Sequence, residues 1–498
     1  MTDAVHDQLA GHLLRADHQE DLCFALYRTS TGAHRDTCLV KEVILPLDGE
    51  RRVYGNASFS GEYFLRAADV AEEAGAGLAL LHSHPGGRGW QGMSDDDVVA
   101  EQRYCAQALA LTGLPLLGGT LAGDSGWSAR RWEVDGGEYR RHESATVRVI
   151  GEQLRITHHP ALSPLVGHDQ RMLRTVSAWG EAVQQNISRQ HVGIVGAGSV
   201  GALVAEAVAR TGVRRITLID FDTIAVHNLD RLAHATRLDA YLRRSKVERL
   251  RRTLLRYSTA SDPEIETLEL SVVEPEGFAV ALDCDVLFSC VDRPWPRQLL
   301  DHVAFAHLVP VIDGGIAVRA GERSMSADWK AHVARPTRVC LECLGQYRAS
   351  DVALERIGDL DDPAYIRGLG GGHPLIASEN VYAFSQACAS LEVLQWLSMT
   401  VAPLDIGDVG NWNFHFVTGT MDRANTDCHD DCLHLLQVAD GDTASPAAPV
   451  AAHPVAEQER GRRRRAQATL TRRALTYLEA AERTATDKLA HVLACWGH

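Results

Sequence analysis

The chain has 498 residues, 45% of them hydrophobic and 23% charged, and a formal net charge of −15 at pH 7. This composition is typical of a globular protein in solution, and the length predicts two to four domains at roughly 100–200 residues each. The negative charge argues against general nucleic-acid binding, which needs a basic surface. No apolar run approaches the roughly 20 residues that span a bilayer, so we expect neither nucleic acid nor a membrane among the partners.

The N-terminal stretch, MTDAVHDQLAGHLL, contains acids and has no cationic region before an apolar core, unlike a signal peptide. The chain also contains 11 cysteines. In a long chain without a secretion signal, cysteines more often bind metals or act in catalysis than form a disulfide framework. We therefore expect a cytoplasmic protein.

Residues 1–140 alternate predicted strands and helices and are expected to form a first α/β domain. The predicted elements are, in order, an amphipathic helix within residues 1–20, strands at Leu22–Tyr27 and Thr37–Ile44, a helix at Ala67–Ala74, a strand at Leu78–Leu81, a helix at Val98–Leu111 and a strand-like region at 113–135. The strand at Leu78–Leu81 runs directly into His82-Ser83-His84-Pro85, the first stretch with candidate chemistry.

His82 and His84 are two positions apart at the end of a predicted strand, so both imidazoles project from the same face. The pair is a suitable chelate for zinc, and Asp97, at the start of the next helix, can supply a third protein ligand. Three protein ligands leave the fourth position for water, whose pKa zinc lowers to about 7. The competing interpretation is two surface histidines beside an acidic turn. Pro85, the glycine-rich loop and the spacing Ser94-x-x-Asp97 favour the metal site.

This cluster resembles the JAB/MPN (JAMM) family of metalloproteases, which includes deubiquitinating and related isopeptidases. The family pattern is an upstream Glu, then H-x-H-P, a loop and S-x-x-D. By this resemblance, His82, His84 and Asp97 would be the ligands of a catalytic zinc. Ser94 would stabilise the oxyanion of the tetrahedral intermediate, and Glu20, just before the first strand, would be the general base.

Two positions in this resemblance have competing candidates. The loop before Ser94 is longer than in the family pattern, and the common spacing would instead select Asp95 as the ligand, with Gly92 in the place of the serine. We prefer Ser94 and Asp97 because that choice keeps the hydroxyl. Glu42 is the second candidate for the base, since it too precedes an apolar run.

Residues 141–189 are expected to be a connector with a helix at Asp169–Gln184, and residues 190–442 a second α/β domain. Alternating strands and helices there predict a Rossmann-like, mostly parallel sheet. Residues 443–498 begin with an Ala- and Pro-rich stretch that resembles a linker and continue into one or two helices.

The second domain opens on a strand, a glycine-rich turn and a helix within residues 192–210. Gly196, Gly198 and Gly201 have the G-x-G-x-x-G spacing, which allows a tight turn, close approach of the backbone to a phosphate and close packing of the helix on the strand. The helix would point its N–H groups at that phosphate. Asp220, after the next strand, can accept hydrogen bonds from a ribose. The motif predicts a nucleotide, but by itself it fits NAD as well as any other.

Further charged and amide side chains argue against a dehydrogenase; they are Asp222, Asn228, Arg231, Lys246 and Asp292. Hydride transfer has no use for several cations around a phosphate chain. Attack on the α-phosphate of ATP does, because charge develops on the phosphoryl oxygens as pyrophosphate leaves. An acid such as Asp292 would hold Mg²⁺ against those phosphates. The sequence has no G-x-x-x-x-G-K-[ST], which excludes a P-loop ATPase.

Two cysteine pairs are far apart in this domain, Cys340-x-x-Cys343 and Cys428-x-x-x-Cys432. Four thiolates predict a closed, structural zinc site. His429, inside the second pair, is a minor alternative ligand.

About residues 165–440 resemble the ThiF/MoeB superfamily of ubiquitin-activating-enzyme-like adenylyltransferases. The motifs follow the family's order: an arginine before the first strand, GxGxxG, DxD, NxxR, KVE, an acid after the fourth strand and paired cysteines. The resemblance implies that the protein is a homodimer that binds ATP and Mg²⁺. The implied roles are ribose binding for Asp220, phosphate binding for Asn228, Arg231 and Lys246, magnesium binding for Asp292, and contact with the phosphates of the neighbouring subunit for Arg171.

The substrate implied is the C-terminal carboxylate of a ubiquitin-like protein ending in Gly-Gly, activated as an acyl-adenylate. Together the two resemblances imply a fused adenylyltransferase and isopeptidase that act on one modifier, with a conjugating enzyme or a sulfurtransferase as a further partner. The alternatives are sulfur-carrier activation for cofactor or amino-acid synthesis, a non-catalytic binding module and an NAD-dependent oxidoreductase.

Related activating enzymes often carry a thioester-forming cysteine in the loop after the first zinc pair. The corresponding loop here, Gln346–Ser378, contains none. Either activation stops at the adenylate, or another cysteine serves, such as Cys388 in the predicted helix Val381–Leu397.

Overall fold

The computed structural model describes the chain except for residues 55, 169, 321–323, 362–379, 425, 468–478, 481 and 490–498. The strands of the described part form a six-stranded sheet, an eight-stranded sheet and two two-stranded ribbons. This is the α/β architecture that the alternation of strands and helices predicts. None of the helices in the described part combines the length and the apolar character that crossing a membrane requires.

The N-terminal part is a sheet covered on both faces. Its elements are α1 (Asp3–Leu13), β1 (Leu22–Thr31), β2 (Asp36–Ile44), β3 (Arg51–Tyr54), β4 (Asn56–Phe59), α2 (Gly61–Ala74), β5 (Gly77–His84), α3 (Asp95–Thr112), β6 (Leu116–Ala122), β7 (Trp127–Asp135) and β8 (Glu138–Glu143). The sheet order is β2-β1-β5-β6-β7-β8, in which β5 and β6 are parallel and the other neighbours are antiparallel. The helices α2 and α3 begin earlier than the hydrophobic pattern predicts, because Ser60 and Ser94 cap their first turns.

Successive residues of β1 and β5 fill two cores on opposite faces of this sheet. Phe24 and Leu80 belong to a core that also contains Tyr63 of α2. Their neighbours Cys23 and Leu81 belong to a second core with α1. Because β5 is buried on both faces, the histidines at its end extend from a well-packed strand.

The connector contains more structure than the single predicted helix. A hairpin of β9 (Thr146–Ile150) and β10 (Leu154–His158) is followed by α4 (Leu173–Trp179) and α5 (Glu181–Arg189). The predicted helix is broken at Gly180, whose φ of 85° is outside the helical region and favours glycine.

The C-terminal part is built around the eight-stranded sheet. Its elements are β11 (His191–Val195), α6 (Ser199–Arg210), β12 (Arg215–Ile219), α7 (Arg237–Tyr241), α8 (Lys246–Tyr257), β13 (Glu264–Leu268), α9 (Pro275–Leu282), β14 (Val286–Ser289), α10 (Pro294–Ala306), β15 (Val311–Ala320), β16 (Met325–Ala334), α11 (Ala349–Ile357), α12 (Tyr382–Val401), β17 (Asn411–His415), β18 (Thr420–Ala424), α13 (Leu433–Leu436) and α14 (Pro454–Gln467). The strand order is β13-β12-β11-β14-β15-β16-β17-β18.

The strand directions correct the expectation of a mostly parallel sheet. The strands β13, β12, β11, β14 and β15 are parallel, whereas the pairs from β15 to β18 are antiparallel. The connections from β15 to β16 and from β17 to β18 are too short for a crossover helix, so these strands pair as hairpins. The result is a Rossmann-like mixed sheet, with a parallel half extended by an antiparallel half.

The carboxyl ends of β12, β11 and β14 are adjacent at one edge of this sheet, because the three strands are parallel neighbours. There β11 leads into Gly196, β12 into Asp220 and β14 into the segment that contains Asp292. The topology therefore brings together side chains from three separate motifs.

The two parts of the chain meet at the opposite, amino ends of β11 and β14. Asp285, which is buried, accepts a hydrogen bond of 2.8 Å from the backbone N–H of His191. It also pairs with Arg35 at 2.7 Å and with Arg148 at 3.5 Å. Arg35 lies in the turn between β1 and β2, so this turn is fixed against the C-terminal part.

The Ala- and Pro-rich stretch expected to be a linker packs against the C-terminal part. Ala448 is buried in the core that contains Val272 and Val273, and Val450 lies against the same core. The backbone N–H of Ala451 donates to the carbonyl oxygen of Val273 at 2.9 Å. The stretch then leads into α14.

Candidate nucleotide and metal sites

The three glycines of the turn after β11 are required for different reasons. Gly196 has a φ of 94°, and a Cβ there would overlap the carbonyl of Cys290. A Cβ at Gly201 would overlap the carbonyl oxygen of Gly196 and lie 3.2 Å from the Cβ of Cys290. A Cβ at Gly198 would meet nothing within 4 Å. Gly196 and Gly201 therefore allow the turn to pack, whereas Gly198 borders open space of the kind a phosphate would need.

Asp220 ties this turn to the end of β12. Its carboxylate accepts hydrogen bonds of 2.7 Å from the backbone N–H groups of Ala197 and Asp222. Burial raises the pKa of Asp220, and the charge of Lys246 opposes that shift. Each carboxylate oxygen accepts one backbone bond and retains a lone pair, so the group remains able to accept bonds from ribose hydroxyls.

Lys246 is the positively charged residue beside Asp220. Its ammonium lies 2.6 Å from the carboxylate of Asp222. Burial alone would lower the pKa of Lys246, but the charges of Asp220, Asp222 and Asp292 together hold it above its ordinary value. Asp292 is exposed. The structure thus brings together one partly buried cation and three acids beside the glycine turn, a donor set that suits a phosphate chain with a divalent cation.

Asn228 and Arg231 are held by local contacts in the loop after β12. The amide oxygen of Asn228 accepts a bond from Ala225 N at 3.0 Å. The guanidinium of Arg231 donates to the carbonyl oxygen of His227 at 2.8 Å and pairs with Asp230 at 3.0 Å. Neither residue has a described hydrogen bond to the acids beside the turn, so their predicted phosphate contacts remain predictions.

Arg171 lies at the opposite end of α8 from Lys246. Its guanidinium donates to the carbonyl oxygen of Ser258, the residue that ends α8, at 3.1 Å. Twelve residues of helix separate the two positions, about 18 Å at 1.5 Å per residue. Arg171 therefore lies far from Lys246 of its own chain, and its predicted role depends on a second subunit.

The four predicted cysteines come together although the two pairs are far apart in the chain. The sulfur atoms of Cys340, Cys343, Cys428 and Cys432 all lie within 4.8 Å of one another. Hydrogen bonding within the cluster, above all from Cys340, lowers the pKa of Cys428 to about 5 although burial opposes it. Four sulfurs at this separation suit a tetrahedral zinc ion. His429 is not part of this group among the described residues.

Sequence analysis missed the residue that orients this cluster. Asp301, fully buried in α10, accepts bonds from the backbone N–H groups of Leu341 and Glu342 at 3.0 and 3.2 Å. Its second oxygen is 3.3 Å from His434. The carboxylate fixes the turn between the first two cysteines, in the way that hydrogen bonds from outside a metal site orient its ligands. No local pattern marks Asp301, because the contact joins residues 40 apart.

The candidate catalytic metal site is also assembled. Ligand atoms of His82, His84 and Asp97 all lie within 4.8 Å of one another. The Nε2 atoms of the two histidines are 3.6 and 3.5 Å from the carboxylate of Asp97. Burial alone would raise the pKa of Asp97, but hydrogen bonds from both histidines hold it well below its ordinary range. Hydrogen bonding to Asp97 raises the pKa of His84. A carboxylate and two imidazoles in this arrangement suit zinc.

The geometry separates the competing residues. Glu20 lies 3.9 Å from the Nε2 atom of His84. Glu42 pairs with Leu26 of β1, whereas His82 pairs with Leu22. These two positions are four residues apart, so Glu42 lies about 13 Å from His82 along the strand direction. Asp95 is exposed in the first turn of α3 and is outside the cluster.

Ser94 is in contact with the same cluster. Its hydroxyl donates to the carboxylate of Asp97 at 2.8 Å, and it accepts from the Asp97 N–H at 3.2 Å in a capping box. Stabilisation of an oxyanion by Ser94 stays a prediction.

A buried polar network behind His82 was not predicted. The hydroxyl of Thr120 lies 3.3 Å from His82 Nε2 and accepts from Arg130 at 2.6 Å. Arg130 is paired with Glu101, and Trp132 donates to that carboxylate at 2.7 Å. These residues come from β6, β7 and α3, so no sequence spacing identifies them.

The two candidate sites face away from the interface between the two parts. The interface holds the turn end of β1, whereas the metal cluster lies at the other end, where Leu22 pairs with His82. The strand spans about 30 Å at 3.3 Å per residue. The glycine turn and the acids beside it lie at the carboxyl end of β14, the end opposite to Asp285.

The sequence profile of the ThiF family matches residues 170–428. The chain belongs to the ThiF family. The ThiF-family region covers more than half of the chain and includes the glycine turn, the neighbouring acids and three of the four clustered cysteines. It begins after the N-terminal sheet.

Within the ThiF-family region the chain is similar to several characterised proteins. A tRNA threonylcarbamoyladenosine dehydratase from Escherichia coli (strain K12) is 31% identical over 151 residues, 29% of this chain and 53% of that protein. A molybdopterin-synthase adenylyltransferase from the same organism is 30% identical over 141 residues, 28% of this chain and 54% of that protein. Ubiquitin-like modifier-activating enzyme 5 from Caenorhabditis elegans is 29% identical over 120 residues, 22% of this chain and 27% of that protein. The chain thus spans about half the length of the first two relatives and less of the third.

Proposed function

We propose that the chain uses ATP to adenylate the C-terminal carboxylate of a small protein of the ubiquitin-like or sulfur-carrier type. The observation that carries the proposal is the convergence of the glycine turn, Asp220, Lys246 and Asp292 at one edge of the sheet in a ThiF-family chain. Family membership favours this interpretation over an NAD-dependent oxidoreductase. Among the similar proteins, one is an adenylyltransferase by name and another activates a ubiquitin-like modifier.

In this proposal the chain binds and orients the reactants and forms no bond with them. The open backbone at Gly198 would accept the phosphates, Asp220 the ribose, and Lys246 the charge of the phosphate chain. Asp292 would hold Mg²⁺, which neutralises phosphate charge when bound. A carboxylate oxygen of the small protein attacks the α-phosphorus, and the bond from that phosphorus to the bridging oxygen breaks as pyrophosphate leaves.

The test is ATP–pyrophosphate exchange by the full chain with a small protein that ends in Gly-Gly. Asp292→Ala should abolish exchange, because Asp292 is the exposed acid of the segment that directly follows β14. Asp262→Asn is the matched control. This acid is also exposed, but it precedes β13 and so lies at the amino end of the parallel strands, opposite to Asp292. Unchanged exchange in Asp292→Ala would refute the proposed site.

In this proposal the chain acts as a homodimer, because the side chain of Arg171 would need a second subunit to reach a phosphate. Mixing Arg171→Ala with Asp292→Ala chains tests that role. If Arg171 acts across the interface, mixed dimers contain one site with neither defect and regain exchange that each variant alone lacks. If the mixture stays inactive while both chains dimerise, Arg171 does not act in this way.

We also propose that the cluster of His82, His84 and Asp97 binds zinc and hydrolyses a peptide or isopeptide bond at the modifier's C-terminus. The three ligands within 4.8 Å and Glu20 beside them support this second activity. Bound zinc would lower the pKa of a water molecule. Glu20 would take the proton of that water, and Ser94 would donate to the oxyanion.

Zinc content and hydrolysis test this second activity separately. The full chain should hold two zinc ions, of which the His82→Ala/His84→Ala double variant loses one and Cys340→Ser the other. Glu20→Gln should keep both ions and lose hydrolysis of a fusion that extends the Gly-Gly end. Zinc content that is unaltered in the double variant would count against the metal site.

The position of Cys388 bears on the step after adenylation. This residue is fully buried in α12, and its thiol donates to Glu392 at 3.5 Å. A modifier's C-terminus reaches such a thiol only if the core opens. The arrangement favours release of the acyl-adenylate to a partner, either a conjugating enzyme or a sulfurtransferase. A conjugating-enzyme gene or a sulfurtransferase gene beside this one would separate protein tagging from sulfur transfer.

A further inference from the structure

The segment that follows the ThiF-family match returns to the nucleotide site. Residues after 428 lie outside the match. The stretch before α14, and α14 itself, nevertheless contact the two loops that carry the acids of the site. One loop follows β12 and contains Asp220 and Asp222; the other follows β14 and contains Asp292.

His453 lies between these two loops. The side chain is buried, and its ring is 5.2 Å from the ring of Phe221 and 5.6 Å from that of Trp295, edge-on to both. Phe221 is the residue between Asp220 and Asp222, and Trp295 is in the first turn of α10, three residues after Asp292. One ring from the C-terminal segment therefore packs against the first acid-bearing loop and against the helix into which the second one leads.

Glu459 makes a second contact with the first loop. Its carboxylate accepts a hydrogen bond of 2.9 Å from the hydroxyl of Thr223 and pairs with Arg243. Burial alone would raise the pKa of Glu459, but these bonds lower it. Thr223 directly follows Asp222, which pairs with Lys246. The carboxylate of Glu459 in α14 is thus hydrogen-bonded to the residue next to Asp222, which forms the ion pair with Lys246.

The same helix has an anchor that does not touch either loop. Arg460 donates to both carboxylate oxygens of Glu274, with one bond of 2.8 Å. Glu274 is the N-cap of α9, which lies outside both loops. Docking of α14 and contact with the nucleotide loops are therefore made by different residues and can be separated by substitution.

We propose that His453 and Glu459 are positioning residues of the nucleotide site. They hold the loop from Phe221 to Thr223 and the loop after β14 in the arrangement in which Asp222, Lys246 and Asp292 face one phosphate position. A loop ordered before binding loses less conformational freedom when ATP binds, so affinity depends on these contacts. The inference rests on the proposed adenylation function, and it extends the site to a segment outside the family match.

The test measures ATP affinity by titration calorimetry, and the melting temperature, on the full chain. Glu459→Ala should weaken ATP binding about fivefold, which corresponds to the net contribution of one typical hydrogen bond. Glu459→Gln should restore most of this affinity, because its amide oxygen still accepts the bond from Thr223. Adding Thr223→Val to Glu459→Ala should cause no further loss, since both substitutions remove one contact.

The ring of His453 gives an independent test. His453→Ala should also weaken ATP binding, whereas His453→Phe, which keeps a ring between Phe221 and Trp295, should retain it. Arg460→Gln is the matched control, which should lower the melting temperature and leave ATP affinity unchanged. Glu457→Gln, an exposed acid on the same helix, should change neither.

Each outcome has a distinct meaning. An equal loss of ATP affinity in Arg460→Gln would make the segment a general anchor and overturn the proposal. Unchanged affinity in both Glu459→Ala and His453→Ala would overturn it while adenylation remains intact. A wild-type chain that binds no ATP would instead refute the proposed function itself.

Discussion

Two alanine substitutions in the glycine turn should have opposite effects on folding and on ligand binding. Gly201→Ala places a methyl group onto the carbonyl oxygen of Gly196 and 3.2 Å from the Cβ of Cys290. The first of these neighbours is backbone, which cannot move aside as a side chain does. Gly198→Ala places its methyl group where nothing lies within 4 Å.

The expected magnitudes depend on these surroundings. Overpacking against backbone costs about 3 kcal/mol or more, so Gly201→Ala should lower the melting temperature by roughly 6–12 °C. Gly198 has φ −80° and ψ −155°, an extended conformation open to alanine. Gly198→Ala should therefore leave stability unchanged or raise it by about 0.4–1 kcal/mol, through reduced freedom of the unfolded chain.

Nucleotide binding should show the reverse order of sensitivity. A methyl group at Gly198 would occupy the space through which a phosphate approaches the backbone, and we expect at least a tenfold loss of ATP affinity, about 1.4 kcal/mol. Thermal unfolding of both variants, with and without ATP and Mg²⁺, measures the two effects together. Equal destabilisation by both substitutions, or wild-type ATP affinity in Gly198→Ala, would refute the assignment of the open space to a phosphate.

Three further predictions concern other parts of the chain. Asp285→Ala should cost about 3–5 kcal/mol at pH 7 in urea unfolding, because it leaves the partly buried Arg35 and the buried Arg148 without their carboxylate. Burial alone would raise the pKa of Asp285, but both arginines hold it well below its ordinary value. Its contribution should therefore be complete above about pH 4 and diminish as the pH falls below that, so a cost that is unchanged at pH 3 would contradict the pairing. Cys388→Ala should leave pyrophosphate exchange and any thioester intermediate unchanged, because the thiol is buried; loss of a thioester on non-reducing gels would show the core opens. The His82→Ala/His84→Ala double variant should bind ATP with wild-type affinity, because the metal cluster lies about 30 Å from the interface with the C-terminal part; weaker calorimetric affinity would show that the two sites are coupled.

Much of the candidate nucleotide site was predictable, because the residues that define it are close together in the sequence. An apolar strand, the spacing of Gly196, Gly198 and Gly201, and a helix immediately afterwards specify one turn through short-range sterics. The same holds for His82 and His84, whose common face follows from the two-residue period of a strand. Parallel strands then bring the ends of their loops to one edge, which accounts for Asp220 and Asp292.

Choices between similar residues depended on the register of strands distant in sequence. Glu20 and Glu42 both precede apolar runs, but the pairing of β1 with β5 places Glu20, and not Glu42, beside His84. The antiparallel half of the larger sheet is another case. Short connections decide the pairing of β15 with β16 and of β17 with β18, and they become visible only when the bounds of these strands are known.

The α/β class, the glycine turn and the spacing of the candidate metal ligands could be predicted from the sequence, because each of these depends on neighbours a few positions apart. The tertiary structure decided which carboxylate stands beside the histidines, that Arg171 lies at the far end of α8, and that the C-terminal segment packs on the loops of the nucleotide edge. These contacts join residues separated by tens to hundreds of positions. They depend on how the whole core packs, which no local pattern of residue types reveals.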